Sequence, residues 1–231
     1  MRIAAVIVTC NRIELLPRAL KSIKGQSRQP DFVYIISNST ANNFHKEQKL
    51  CADFSFQIFK NHRTENYAGA LNTAIEQIIK ANGISEDVYF ASLDDDDEWL
   101  PNYLHEIASN NTNNYDILVG NILRSSNTEN NLLVLPNDLS EKNFLIGNPG
   151  ISGSNTFVKL ITLLKSGAFD EGLSATIDRD FFVRVFLQKP SYKIVNKHLV
   201  TQHTDNDRER VTTNQTKKKK VLVSFSISID I

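Results

Sequence analysis

The chain has little of several things, and each shortage narrows its class. Of 231 residues only two are cysteines, Cys10 and Cys51, too few for a disulfide framework. Cys10 ends an apolar run, which predicts a reduced, buried thiol. Net charge is absent: Lys+Arg and Asp+Glu both number 26. That excludes a global basic field able to recruit nucleic acid or an anionic membrane, so any electrostatic function must be local. Long apolar runs are absent too, and nothing approaches the roughly 18 residues that a membrane span needs. The opening MRIAAVIVTC is too short for a signal peptide and passes directly into Asn11-Arg12 and an amphipathic stretch, so it reads as a first strand. A cytoplasmic protein is the expectation. No internal repeat breaks the chain into units.

What is present is the composition of an ordinary globular protein, 41% hydrophobic and 23% charged. Ile3 to Val8 is a β-branched and Ala run that suits a strand buried on both faces. Leu15, Leu16, Leu20 and Ile23 then recur at helical spacing, with Pro17 tolerated in the first turn. Phe32–Ser37 and Phe54–Phe59 read as further strands. Ala68–Ala81 reads as a helix, and Asp87–Leu93 as a strand running straight into four aspartates. This alternation predicts a doubly wound, mostly parallel α/β sheet with helices on both faces. Such sheets bind ligands at the carboxyl ends of their strands. Thr9-Cys10-Asn11-Arg12, Asn38-Ser39-Thr40 and the Asp run are therefore expected to converge. Later, 117–123 and 132–135 read as a hairpin, Phe157–Leu164 as strand or helix, Asp180–Leu187 as a short helix and Tyr192–Val200 as a late strand.

The chemistry concentrates in Leu93-Asp94-Asp95-Asp96-Asp97-Glu98-Trp99. Five consecutive acids after a buried strand repel one another unless a positive charge sits among them. A hard divalent cation, Mg²⁺ or Mn²⁺, prefers such carboxylate oxygens and takes phosphate oxygens as well. A helix N-terminus accounts for one or two of these acids, but not for the run.

That run, with Thr9-Cys10-Asn11-Arg12, Ile36-Ser37-Asn38-Ser39-Thr40 and Asn66-Tyr67-Ala68-Gly69-Ala70-Leu71-Asn72, resembles family 2 glycosyltransferases of the GT-A fold. The order and spacing agree from Arg2 to about Leu104. Gly167-Ala168-Phe169-Asp170-Glu171 and Asp178-Arg179-Asp180 continue the likeness more loosely. The resemblance implies one domain over 1–231, with a nucleotide-sugar half at 1–104, an acceptor and catalytic half at 105–210, and a basic tail at 211–231. It implies an inverting transfer from a nucleotide diphosphate-sugar, uridine being the family's commonest base, to a carbohydrate or glycolipid acceptor in cell-surface assembly.

By that resemblance Thr9, Asn11, Arg12 and Asn38 line the nucleoside pocket. Asn38 stands where the family usually has Asp, which leaves the base identity open. Arg63 is a candidate for the diphosphate. Gly69 and Asn72 belong to the nucleotide side, where Gly69 serves either close approach to the ligand or plain packing. Asp94 and Asp95 would contact ribose or ordered water, Asp96 would bind Mn²⁺ or Mg²⁺ directly, and Asp97 would cap a following helix. The family's general base is the Asp of a Glu-Asp pair; here Ile177-Asp178 keeps the Asp alone, with Asp180 as runner-up. His203 would join the metal, with Arg208 as a phosphate partner. Trp99, Ser152 and Gly153 would face the acceptor. Lys217–Lys220 is a solvated run or a peripheral contact with anionic lipid. Two other readings stand beside this one. A sugar nucleotidyltransferase would want a Gly-rich phosphate loop near the N-terminus, which Thr9-Cys10-Asn11-Arg12 is not. A catalytically inactive or truncated nucleotide-binding module would fit Asn38 and the missing Glu before Asp178.

Overall fold

The computed structural model describes residues 1–204, so Arg208 and Lys217–Lys220 lie outside the described residues. At its centre is β1 (Arg2–Thr9), flanked in parallel by β2 (Phe32–Ser37) and β4 (Val88–Asp94). The short β3 (Ile58–Lys60) extends β2 in parallel. Beyond β4 the sheet turns mixed. There β8 (Thr156–Lys159) runs antiparallel to both β4 and β6 (Ile117–Ser125), and β9 (Tyr192–His203) runs parallel to β6. β5 (Asp97–Trp99) pairs antiparallel with β9, giving the order β3-β2-β1-β4-β8-β6-β9-β5, and β7 (Asn130–Leu133) completes a hairpin on β6.

The period of two in β1 distributes its side chains to two cores. Ala4, Val6 and Val8 face one, beneath α3 (Tyr67–Asn82), α5 (Glu141–Ile146), α6 (Leu160–Lys165) and α7 (Ile177–Phe186). Ile3, Ala5 and Ile7 face the other, beneath α1 (Leu16–Lys24), α2 (Ala41–Asp53) and α4 (Tyr103–Asn110). This is why the first strand reads as a continuous apolar run: neither face meets water. α1 buries Leu16, Ala19, Leu20 and Ile23, one stripe at helical spacing. α3 starts at Asn66, whose side chain accepts from the Gly69 N–H at 2.8 Å, and ends before Gly83, whose φ of 67° suits glycine.

Several elements differ from the sequence expectation. α2 was not foreseen, because its buried residues are Glu47 and Cys51 rather than an apolar stripe. Its end takes Phe54 and Phe56, which stack on each other, so the third strand shrinks to three residues. The segment 157–164 is strand and then helix. Asp97 does not cap a helix; it opens β5, and α4 begins only at Tyr103. Cys10 is exposed, whereas Cys51 is buried, so the buried thiol is the second one. Among the described residues no helix is long and apolar enough to cross a membrane.

Candidate active site

β4 ends at Asp94, the chain turns through Asp95 and Asp96, and β5 starts at Asp97. This tight reversal folds the carboxylates back on one another. Asp94, Asp96 and Asp97 each offer an oxygen, and these atoms lie within 4.8 Å of one another. Oxygen donors on a short turn suit a hard divalent cation, so the residues present fit Mn²⁺ or Mg²⁺. Asp95 is not one of the three. Its carboxylate is 4% exposed, lies 3.2 Å from Arg12 Nη1, and is pushed up to about 6 by burial, against the opposing pull of Arg12 and the Thr9 hydroxyl. Arg12 also lies 3.6 Å from Asp96, and Arg18, not singled out by the sequence, donates to the Asp96 carbonyl. Burial, then the neighbouring Asp97, Asp96 and Asp178, push the Asp94 carboxyl well up.

The three polar strand ends do converge. Asn11, at φ 55°, donates its N–H to Ser39 Oγ at 2.6 Å, and its side-chain oxygen accepts from the Thr40 N–H and from Asn43. Arg12 joins this loop to the acid turn. Asn38 has both ends of its amide engaged: Oδ1 accepts from Asn61 at 2.7 Å and Nδ2 donates to the Asn66 carbonyl at 2.9 Å.

Opposite the acid turn, the loop before β8 brings in the later half of the chain. Ser154 Oγ donates to Asp97 Oδ2 at 2.8 Å and accepts from the Asp94 N–H at 3.1 Å. Gly153, next to it, donates its N–H to the Asp178 carboxylate, which burial pushes up against that bond. Asp178 sits in the first turn of α7 and is close enough to Asp94 to raise it. The two base candidates therefore separate. Asp180 pairs with Arg184 at 2.6 Å one turn along the same helix, whereas Asp178 is held by the Gly153 N–H. Ser152 starts the turn that carries Gly153 and Ser154, its N–H held by Asn155 Oδ1 at 2.8 Å.

Other expected residues lie elsewhere. Trp99 does not face an acceptor: it is 2% exposed, packs on Tyr103 and Phe157, and donates Nε1–H to the Ser154 carbonyl at 2.7 Å. Arg63 is held by Glu76 and Glu171 rather than by the acid turn. Asn72 donates to the Phe169 carbonyl and to Glu171 Oε1. At Gly69 an added Cβ would lie 2.1 Å from the Thr64 carbonyl oxygen, which makes it a packing glycine of the loop-to-helix junction. His203 lies 3.5 Å from Glu98 and outside the Asp94, Asp96 and Asp97 group. Sequence reasoning missed Tyr67, whose hydroxyl donates to Asp94 Oδ1 at 2.7 Å, and Glu171, which ties the two halves together. Both stand inside the quoted motifs, but nothing local marks them as partners of residues 27 and about 100 positions away.

The chain matches the family model described as glycosyl transferase family 2 over residues 4–182, and it belongs to that family. Among solved structures, S. aureus TarS 1–349 in complex with UDP-GlcNAc is 15% identical with a TM-score of 0.69, covering 93% of this chain and 61% of that one. S. aureus TarS in the longer form is 16% identical at 0.65, covering 88% and 37%. GalNAc-T7 with UDP, GalNAc and Mn2+ is 13% identical at 0.62, covering 88% and 44%. The chain thus spans between 37% and 61% of these relatives' lengths, and the likeness shows a shared GT-A fold. A comparison with curated protein sequences finds no match.

Proposed function

We propose that this protein transfers a sugar from a nucleotide diphosphate-sugar, with uridine as the base, to an acceptor hydroxyl with inversion at the anomeric carbon. The observation that carries the reading is the convergence of Asp94, Asp96 and Asp97 at the end of β4, with Asp178 held by the N–H of Gly153, next to the Ser154 that bonds the acid turn. Solved relatives of the same fold bound to UDP, UDP-GlcNAc or UDP with Mn²⁺ support the donor class.

On this reading residues 1–104 hold the donor and the later segment presents the acceptor. Asp94, Asp96 and Asp97 hold Mn²⁺ or Mg²⁺, and Thr9, Asn11 and Asn38 border the nucleoside. A bound cation supplies charge neutralisation for the departing diphosphate. Asp178 accepts the proton of the acceptor hydroxyl, whose oxygen forms the new bond to the anomeric carbon. The bond from that carbon to the diphosphate oxygen breaks, and its electron pair leaves on the nucleoside diphosphate. Attack from the face opposite the leaving group inverts the centre. A carboxylate whose proton affinity is raised by burial, as at Asp178, is a better base near neutral pH than a solvated one.

The test is calorimetric binding of a panel of nucleoside diphosphates, with and without Mn²⁺, to the native chain and to Asp96→Ala. Metal-dependent binding of UDP, lost in the variant, supports the reading. The absence of binding by a folded native chain refutes it.

A further inference from the structure

Tyr67 opens α3, and its hydroxyl donates to Asp94 Oδ1 at 2.7 Å. The residue before it is anchored by three hydrogen bonds. Asn66 just before it caps the helix through Gly69 N–H, donates its amide to the Glu171 carbonyl, and accepts Asn38 at its own carbonyl. Gly153 lies beside the hydroxyl: a Cβ there would touch Tyr67 Oη at 3.4 Å and clash with Ser92 Oγ at 2.6 Å. The phenol therefore stands where the acid turn meets the loop that holds Asp178.

Asp94 differs from its neighbours in what holds it. Arg12 bridges to Asp95 and Asp96, whereas no ion pair reaches Asp94 among the described residues. A neutral donor orients a carboxylate without cancelling its charge. A Lys or Arg in its place would compete with any cation arriving at the same oxygen pair. With Oδ1 held by the phenol, Oδ2 is the Asp94 oxygen that a cation shared with Asp96 and Asp97 would take.

We propose that Tyr67 is a positioning residue for the donor site: it fixes the Asp94 carboxylate through Oδ1 so that the remaining oxygen completes a cation site with Asp96 and Asp97. The proposal rests on the reading of the acid turn as the metal and donor site. The plainer alternative is that a part-buried phenol simply takes the nearest acceptor.

The two differ in what Tyr67→Phe does. The ring and its packing remain, and only the hydroxyl is lost. UDP binding to the full chain is measured with and without Mn²⁺, alongside Mn²⁺ binding alone by electron paramagnetic resonance. The expected result is a Mn²⁺ affinity, and a Mn²⁺-dependent gain in UDP affinity, each reduced about ten-fold, as for other residues that orient a metal ligand. Metal-free UDP affinity stays at the native value. In an Asp94→Asn background the same change should have no further effect. Native Mn²⁺ dependence in Tyr67→Phe, or an equal loss with and without metal, overturns the proposal while leaving the acid-turn reading intact. A native chain that binds UDP without regard to Mn²⁺ overturns both.

Discussion

Two carboxylate sites in this protein meet opposite conditions. At the acid turn Arg12 pairs with Asp95 and Asp96, Arg18 donates to the Asp96 carbonyl, and burial pushes Asp94 and Asp95 upward. At Glu171 a single carboxylate receives the Arg63 guanidinium, the Thr64 hydroxyl and N–H, and the Asn72 amide. Burial opposes ionisation there too, but these donors from Asn72, Thr64 and Arg63 bring it down to about 2. The second site is complete in itself and holds the loop before α7 to the start of α3. At the first, burial and mutual repulsion outweigh the donors that reach Asp94 and Asp95, a condition that a bound cation would relieve. Acidity alone does not mark a ligand site; the balance of donors around it does.

The comparison breaks first, if it breaks, at Asp96. Asp96→Ala should reduce Mn²⁺-dependent UDP affinity by at least about 100-fold, read by calorimetry, with little change in melting temperature. An Asp96 that is as dispensable for binding as a surface acid would erase the contrast. Next in size is Trp99→Ala, expected to destabilise the fold by about 3–5 kcal/mol in urea titration because a buried ring is lost between Tyr103 and Phe157. Glu171→Gln should cost about 1–3 kcal/mol at neutral pH and leave Mn²⁺ affinity unchanged. Its pH dependence sharpens the point. The folded carboxyl sits at about 2 against an ordinary 4.5, so its contribution is fully present above that ordinary value and is lost as pH falls toward the folded one. The difference between native and variant chains should shrink across that window. Smallest is Asn38→Asp, which restores the family's usual residue but turns a carboxylate oxygen toward the Asn66 carbonyl that Nδ2 now satisfies. It should lower stability by about 1 kcal/mol, measured by thermal melting.

The parts legible in the sequence share one property: their partners are near in the chain or follow from strand order. The Asp run is contiguous, and the ends of β1, β2 and β4 meet because parallel neighbours align their carboxyl ends. α2 was hidden because its inward face carries Glu47, satisfied by the hydroxyls of Ser37 and Ser39 at 2.6 and 2.5 Å, and no apolar period announces it. Trp99 was misread for a related reason. Its polar neighbours suggest an open site, while the carbonyl and rings that enclose it come from Ser154, Tyr103 and Phe157. Arg63 looked available because Glu171 lies 108 positions away.

Ser154 binds three points of the acid turn and its continuation at once: the Asp94 N–H and the Asp97 carboxylate through its hydroxyl, and the Trp99 indole through its carbonyl. It also sits one residue from the N–H that holds Asp178. A shift of this serine would disturb the acid turn and the Gly153–Asp178 hydrogen bond together. Under the proposed function, any coupling carried by this one buried hydroxyl would be reciprocal: occupancy at the acid turn and occupancy beside Asp178 would change each other's affinity by the same factor.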